Sequence, residues 1–249
     1  MDFVALQKGN GIATLTLARG RVNALNGTVV DQLRTQLKNV EMDREIGAVI
    51  LTGSGKFFSF GFDIPAFLAL TKEEFAEYLV NFTDLYTYLF LFSKPVIAAI
   101  NGHAMAGGCM LALACDHRVM AIGKAKISLN EIGFGSSVFA GSTEMLRFWV
   151  GNAKATEILY TGAMYQAEQA KDLGLVHEAS TEQNFTAAVE KAASALQEKA
   201  SPAFASIKSL LRKSVAEEMR RREAGSIKEF VEIWYSEETW ANLQKIKIY

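Results

Sequence analysis

Two glycine-containing turns have the composition of sites that present backbone N–H groups to one negatively charged atom. One turn, residues 55–64, follows the apolar stretch 48–52. The other, at Gly107 and Gly108, follows the apolar stretch 96–100 and starts an apolar helix. Glycine lets a ligand approach the backbone closely, and the first N–H groups of a helix are unpaired and partly positive. Such sites suit a phosphate, or an oxygen that becomes negative during a reaction.

The second turn lacks the features of a phosphate loop. No Lys-Ser or Lys-Thr pair follows its glycines, although that pair contacts the phosphates and the metal in such loops. Two turns at neighbouring strand ends can direct two N–H groups to one oxygen, which stabilises an enolate by on the order of several kcal/mol. The sequence therefore favours an oxyanion hole in an enzyme that acts on a carbonyl compound, with two ligand-free tight turns as the alternative.

The two turns lie in a chain that alternates between predicted strands and predicted helices. Alternating apolar residues over 3–7 and 12–18, separated by Gly9-Asn10-Gly11, indicate a hairpin. Further strands are predicted over 48–52, 96–100, 117–121 and 175–178, and helices over 28–40, 72–91 and 107–115. Asn26 or Thr28 is the predicted N-cap of the first helix. This alternation predicts a parallel α/β core.

The last third of the chain has a different pattern. Its residues are almost entirely helical in period from Thr143, with long stretches at about 182–199 and 202–222 and a terminal helix from about Ile227. This segment predicts a helical region that follows the α/β core.

The composition is that of an ordinary globular chain of 249 residues. Half of the residues are apolar, 21% are charged and the formal net charge is −1, so nothing indicates a nucleic-acid partner or an anionic membrane surface. Cys109 and Cys115 fit no zinc-ligand spacing and indicate buried, reduced thiols. We expect one large domain or a domain with a helical appendage, without a signal peptide or a membrane span, in the cytoplasm.

A series of motifs resembles the crotonase (enoyl-CoA hydratase/isomerase) family over nearly the whole chain. The motifs, in order, are Val-Asn-Ala-Leu at 22–25, Phe-Ser-x-Gly-x-Asp-Ile at 58–64, Asn-Gly-x-Ala-x-x-Gly-Gly-Cys at 101–109, Cys-Asp-His-Arg at 115–118, Ser-Leu-Asn-Glu-Ile-Gly at 128–133 and Ala-x-x-Leu-Gly-Leu-Val at 170–176. Each is weak alone, but their order along the chain is specific.

The resemblance implies an α/β fold of the crotonase type. Residues 1–195 would form a spiral of repeated β-β-α units, and residues 196–249 would form a C-terminal helical region through which chains trimerise. The implied assembly is a homotrimer or a hexamer. The implied substrate is an acyl-CoA thioester, with no metal and no bound cofactor.

The resemblance also implies roles for individual residues. The N–H groups of Phe60 and Gly107 would form the oxyanion hole, and the carbonyl groups around Ala24 and Phe62 would line the pocket for the adenine of CoA. The whole substrate-binding set would be Ala24, Phe60, Gly61, Phe62, Asp63, Gly107 and Met110. Asp63 is interpreted as a residue that caps its turn rather than as a catalytic acid.

Two positions distinguish between the reactions of the family. Hydratases carry a first glutamate where this chain has Met110, and a second where it has Glu131. Two carboxylates position and activate a water molecule, whereas one can remove a proton next to a thioester and return it further along the acyl chain. Leu-Asn-Glu at 129–131 and the apolar Met110 resemble the isomerase branch. We therefore predict a Δ3,Δ2-enoyl-CoA isomerase in which burial raises the pKa of Glu131, the proton shuttle.

Other interpretations stay open at this point. One is a hydratase that holds water in another way, or a hydrolase or lyase of the same family. Another is a catalytically silent member of the fold that serves as an assembly or RNA-binding partner. Phe60 and Phe62 are larger than the residues usual at these positions in the family, and they either pack in the core or narrow the CoA or acyl channel.

Overall fold

Two sheets of different size form the centre of the protein, whose computed structural model describes residues 2–248. The strands are β1 (Val4–Gly9), β2 (Ile12–Leu17), β3 (Ala48–Gly53), β4 (Phe57–Ser59), β5 (Val96–Ile100), β6 (His103–Met105), β7 (His117–Ala121), β8 (Ile127–Ser128) and β9 (Glu178–Ser180). The larger sheet has the order β1-β2-β3-β5-β7-β9, and the smaller one has the order β4-β6-β8. All neighbouring strands are parallel except the predicted hairpin β1-β2.

The helices cover both sheets and fill the last third of the chain. They are α1 (Gly27–Met42), α2 (Ile64–Phe67), α3 (Lys72–Phe90), α4 (Gly107–Ala114), a 3₁₀ helix (Glu131–Phe134), α5 (Ala140–Thr161), α6 (Ala167–Leu173), α7 (Glu182–Gln197), α8 (Pro202–Trp234) and α9 (Glu237–Leu243). None of the helices in residues 2–248 has both the length and the apolar character that a membrane span requires.

The chain passes from the larger sheet to the smaller one three times. β3 is followed by β4, β5 by β6, and β7 by β8, and helical segments follow each pair. Each turn of the chain thus adds one strand to each sheet. The predicted α/β class with repeated β-β-α units and C-terminal helices is confirmed, although the smaller sheet itself had no counterpart among the predicted strands.

The first helix shows how the local sequence sets the packing. The side chain of Asn26 accepts a hydrogen bond from the N–H of Val29 at 3.1 Å and so caps α1, as predicted for one of two candidate residues. Leu33, Leu37 and Val40 are buried on one face of this helix. Their helical spacing directs that face against the sheet, where apolar area leaves water.

The C-terminal helices differ from their prediction. α8 is one helix of 33 residues, where the sequence predicts a break between residues 222 and 227. It packs against α3 and α5, and tertiary contacts keep Gly225 helical despite its low helix propensity. The predicted boundary between residues 195 and 196 falls inside α7, and the last strand lies at 178–180 instead of 175–178.

Candidate active site

A cavity of about 180 Å³ lies where the smaller sheet, the 3₁₀ helix and the end of α8 meet. Its lining residues come from several separate segments of the chain: Phe60, Phe62, Ile64, Met105, Ala106, Asn130, Glu131, Phe134, Met164, Phe230, Trp234 and Ile246. Those from the core are buried, whereas Met164 is 48% exposed. The cavity is therefore lined mainly by apolar side chains, with Asn130 and the acid Glu131 as the polar residues on its wall.

Glu131 is the only carboxylate among the described residues that line this cavity. It begins the 3₁₀ helix that follows β8, which turns its side chain inward so that the residue is 4% exposed. Its Oε2 has no hydrogen-bond partner in the described part of the chain. Burial raises the pKa of Glu131 to about 8, because a charged carboxylate loses its hydration there. An acid with this pKa can accept and return a proton near neutral pH.

Gly107 lies beside the same cavity as the first residue of α4. The residue before it, Ala106, has φ 47° and ψ −118°, a conformation that is rare for any residue with a side chain. Ala106 is held there by its N–H, which donates to the carbonyl of Ser128 at 2.8 Å. The N–H of Gly107 donates to no described residue. The strained residue thus directs a free N–H group at the start of a helix, as the sequence predicted for Gly107.

The predicted partner of Gly107 requires a correction. The N–H of Phe60 donates to the carbonyl of Val22 at 2.9 Å, so it is already used within the protein. Two residues later the chain pairs with Leu25: the N–H of Leu25 donates to the carbonyl of Gly61, and the N–H of Asp63 donates to the carbonyl of Leu25. Because successive N–H groups in a paired strand point to opposite sides, the N–H between these two contacts points away from Leu25.

The residue between these two contacts is Phe62, and its N–H donates to no described residue. Phe62 also adjoins Gly107, because a β-carbon placed on Gly107 would lie 3.1 Å from Cε1 of Phe62. The free donors that the structure brings together are therefore those of Phe62 and Gly107. Phe60 stays at the cavity as a lining side chain.

Gly61 allows this close approach. Its φ is 99°, which favours glycine, and a β-carbon there would lie 2.8 Å from the carbonyl oxygen of Met105 and 3.1 Å from the N of Gly107. Any other residue would push the two turns apart. Steric crowding between the two turns thus explains why a glycine occupies this position of the first turn.

Ala24 and Asp63 have intramolecular partners. The guanidinium of Arg19 donates to the carbonyl of Ala24 at 3.1 Å and forms an ion pair with Asp63. Asp63 also accepts from the N–H of Ala66 at 3.3 Å, which caps α2. The interpretation of Asp63 as a capping residue is confirmed. The carbonyl of Phe62, the second predicted adenine contact, accepts from the N–H of Ile64 at 2.9 Å.

Met110 is 1% exposed and packs in the hydrophobic core, and it is not among the residues that line the cavity. The prediction that Met110 contacts the substrate is therefore not supported by the lining of the cavity. The apolar side chain at this position nevertheless leaves no carboxylate beside Gly107 on α4.

Sequence reasoning did not place the end of α8 at the cavity. Phe230 and Trp234 are each 1% exposed and line it from the C-terminal region. Trp234 lies four positions after Phe230, and this spacing puts both rings on one face of the helix. That spacing is visible in the sequence, but which cavity the face covers depends on the packing of α8 against α3 and α5.

Known proteins resemble this chain in sequence and in fold. A family model described as enoyl-CoA hydratase/isomerase matches residues 7–244. A probable enoyl-CoA hydratase from Bacillus subtilis is 36% identical over 177 residues, which are 71% of this chain and 68% of that protein. The crystal structure of human mitochondrial Δ3-Δ2-enoyl-CoA isomerase superimposes with a TM-score of 0.91 at 25% identity, over 98% of this chain and 96% of that one. An enoyl-CoA hydratase from Bacillus halodurans gives 0.90 at 25% identity, over 98% and 100%.

Proposed function

The chain belongs to the enoyl-CoA hydratase/isomerase family, and from this premise we propose that it converts 3-enoyl-CoA thioesters into 2-enoyl-CoA thioesters. The observation that carries the proposal is the single carboxylate, Glu131, on the wall of a cavity lined mainly by apolar residues. The reaction needs one group that takes a proton from one carbon and returns it to another. CoA enters as part of the substrate.

The proposed reaction has two proton transfers. The carboxylate of Glu131 removes a proton from C2 of the 3-enoyl thioester, and the electron pair shifts onto the thioester oxygen to form a dienolate. The N–H groups of Phe62 and Gly107 stabilise that oxygen, as two donors do in an oxyanion hole. Glu131 then returns the proton to C4, and the double bond lies between C2 and C3. Atoms and charge balance without a further reactant.

The environment of Glu131 suits both transfers. The pKa of about 8 makes the carboxylate a stronger base than an exposed glutamate, and its conjugate acid can still release the proton. The apolar walls keep water from the dienolate, which would otherwise take a proton from solvent.

Hydration is the second candidate, because relatives such as the Bacillus subtilis protein are named hydratases. Hydratases of the family that this chain resembles carry a second carboxylate at the position of Met110. A methionine side chain can neither orient nor activate water. We therefore place isomerisation first. A catalytically silent role gives no reason for a buried carboxylate whose Oε2 has no hydrogen-bond partner among the described residues, in a protein that also has two free N–H groups on adjoining turns.

The experiment measures both reactions with the purified full chain. Supplied with 3-hexenoyl-CoA, the protein should form 2-hexenoyl-CoA, and supplied with 2-hexenoyl-CoA it should form no 3-hydroxyacyl product. Glu131→Gln should lower isomerisation by about 10²–10⁴-fold, the usual contribution of a general base, and Glu157→Gln on the exposed face of α5 is the matched control. Hydration faster than isomerisation, or full activity of Glu131→Gln, would overturn the proposal.

We propose further that the working form is a homotrimer or hexamer. Ile207, Leu210 and Leu211 on the first half of α8 are 59%, 81% and 60% exposed, and a contiguous apolar patch of this kind indicates a partner surface. Light scattering coupled to size-exclusion chromatography tests this assembly: a monomer at micromolar concentration would contradict it.

A further inference from the structure

The cavity has a closed side and an open side. Phe62, Phe230 and Trp234 on one side are 8%, 1% and 1% exposed, whereas Met164 on another is 48% exposed. Glu131 lies on the wall of the same space. An acyl chain that enters past Met164 and places its C2 at Glu131 therefore shares this cavity with the three buried rings.

The three rings have little freedom to move aside. The ring of Phe62 packs edge-on against Tyr78 and Phe82, with centroids 5.3 and 5.0 Å away. Aromatic pairs at this distance and angle are favourable, and close-packed interiors resist added volume.

The other two rings are held in the same way. The centroid of Phe230 lies 4.4 Å from that of Phe139, and the centroid of Trp234 lies 4.7 Å from that of Phe75. The rings behind the wall, Phe139 and Phe75, are themselves fully buried, and a close-packed interior resists their displacement by Phe230 or Trp234.

The volume in front of this wall is small. A cavity of about 180 Å³ is smaller than the roughly 300–1,000 Å³ of a typical small-molecule pocket. That is room for the acyl part of a short thioester and not for a long fatty chain. Phe62 contributes to this limit at a position where the family resemblance leads one to expect a small residue.

We propose that this protein is specific for short acyl chains, and that Phe62, Phe230 and Trp234 form the stop that limits the chain length. The inference rests on the proposed function for its substrate class. Phe230 and Trp234 of α8 are then specificity-determining residues. The C-terminal region thus takes part in substrate selection in addition to its proposed role in assembly.

The test uses this chain with 3-enoyl-CoA thioesters of increasing length. kcat/KM should be highest for 3-hexenoyl-CoA and at least about tenfold lower for 3-decenoyl-CoA and 3-dodecenoyl-CoA, since added methylenes in a packed wall carry a penalty of this order. Equal kcat/KM for the six- and twelve-carbon substrates would overturn the proposal, because the chain would then leave through the open side.

Two variants open the wall. Phe230→Leu and Trp234→Phe each remove ring volume, and the second loses no hydrogen bond because Nε1 of Trp234 has no partner in the described residues. Each should raise kcat/KM for 3-octenoyl-CoA relative to 3-hexenoyl-CoA by about tenfold. Phe90→Leu is the matched control: this ring is equally buried but packs against Phe148 and away from the cavity, so the length preference should not change.

A binding measurement separates this inference from the proposed reaction. Saturated hexanoyl-CoA and dodecanoyl-CoA undergo no isomerisation, so calorimetry with them reports the pocket alone. Tighter binding of hexanoyl-CoA without any isomerase activity would support the length stop and contradict the proposed function. Isomerase activity with equal binding of both thioesters would support the function and contradict the length stop.

Discussion

The ring of Phe62 lies against the backbone of Gly107, and the two residues present their free N–H groups from neighbouring turns. A β-carbon on Gly107 would lie 3.1 Å from Cε1 of Phe62 and 3.4 Å from Cδ1 of Leu25. Tyr78 and Phe82 hold the ring from behind. The contact therefore fixes the distance between the turns, and with it the geometry of the proposed oxyanion hole.

Gly107→Ala tests this contact. The added methyl group should displace Phe62 or shift the start of α4, and a displacement of a donor by about 1 Å can lower a rate by about 10²-fold. Steady-state kinetics with 3-hexenoyl-CoA and circular dichroism should show a folded protein with strongly reduced kcat. Wild-type kcat in a folded Gly107→Ala protein would contradict the assignment of this donor.

Gly225→Ala serves as the contrasting glycine substitution. Gly225 is exposed within α8, its φ is not positive and a β-carbon there meets nothing within 4 Å. Alanine in a helix interior is favoured by about 0.5–1 kcal/mol. We expect a higher free energy of unfolding by about that amount and unchanged kinetics. Lower stability would show that this part of α8 is not an ordinary helix interior.

The pH dependence of the reaction follows from Glu131. The carboxylate must be ionised to take a proton from C2, and its pKa in the free protein is raised to about 8 by burial. kcat/KM should therefore rise with pH and level off above about 8. If kcat/KM were about the same at all pH values from about 6 to about 9, Glu131 with a raised pKa could not be the base.

The same shift has a consequence for stability. The folded-state pKa of about 8 lies above the ordinary value of 4.5, so the folded protein binds this proton more tightly than the unfolded chain. The contribution of Glu131 to the free energy of unfolding is fully present below about pH 4.5 and is lost as the pH rises through about 8. Glu131→Gln carries no charge and should melt at a higher temperature than the wild type at high pH.

Thermal melts of both proteins across this pH range check the expectation. The pKa of Glu223 is also raised, to about 7. Its pH-dependent contribution to stability is the same in both proteins, so it cancels in the difference in Tm. A difference in Tm that does not grow with pH would contradict the raised pKa of Glu131.

Met110→Glu tests whether the position of a second carboxylate is accessible. Met110 is 1% exposed in the core, so a glutamate there lacks water and a partner and should lower the free energy of unfolding by about 3 kcal/mol or more. No hydration of 2-hexenoyl-CoA should appear. Met110→Leu should keep near-wild-type stability. A stable Met110→Glu protein that hydrates 2-hexenoyl-CoA would show that this side chain faces the substrate.

Much of the fold was predictable because its signals are local. The cap at Asn26 and the spacing of Val29, Leu33 and Leu37 specify α1 without reference to the rest of the chain. The smaller sheet was not predicted because its strands are only two or three residues long. Segments of that length have no measurable period, and their pairing depends on the turns that bring them together.

The sequence by itself determined the chemical groups: two glycine turns, the acid Glu131 and the apolar residue at Met110 where a second acid would stand. Residue type and order carry this information. The tertiary structure alone decided which groups meet. Phe62 rather than Phe60 offers its N–H because the pairing with Val22 and Leu25 sets which way each N–H points.

Two further properties depend on contacts between distant segments. α8 brings Phe230 and Trp234 to the cavity only through its packing on α3 and α5. The raised pKa of Glu131 exists only once apolar residues from several elements exclude water from its carboxylate. Hydrogen-bond direction and burial are properties of the assembled fold, and for that reason no pattern along the chain could specify them.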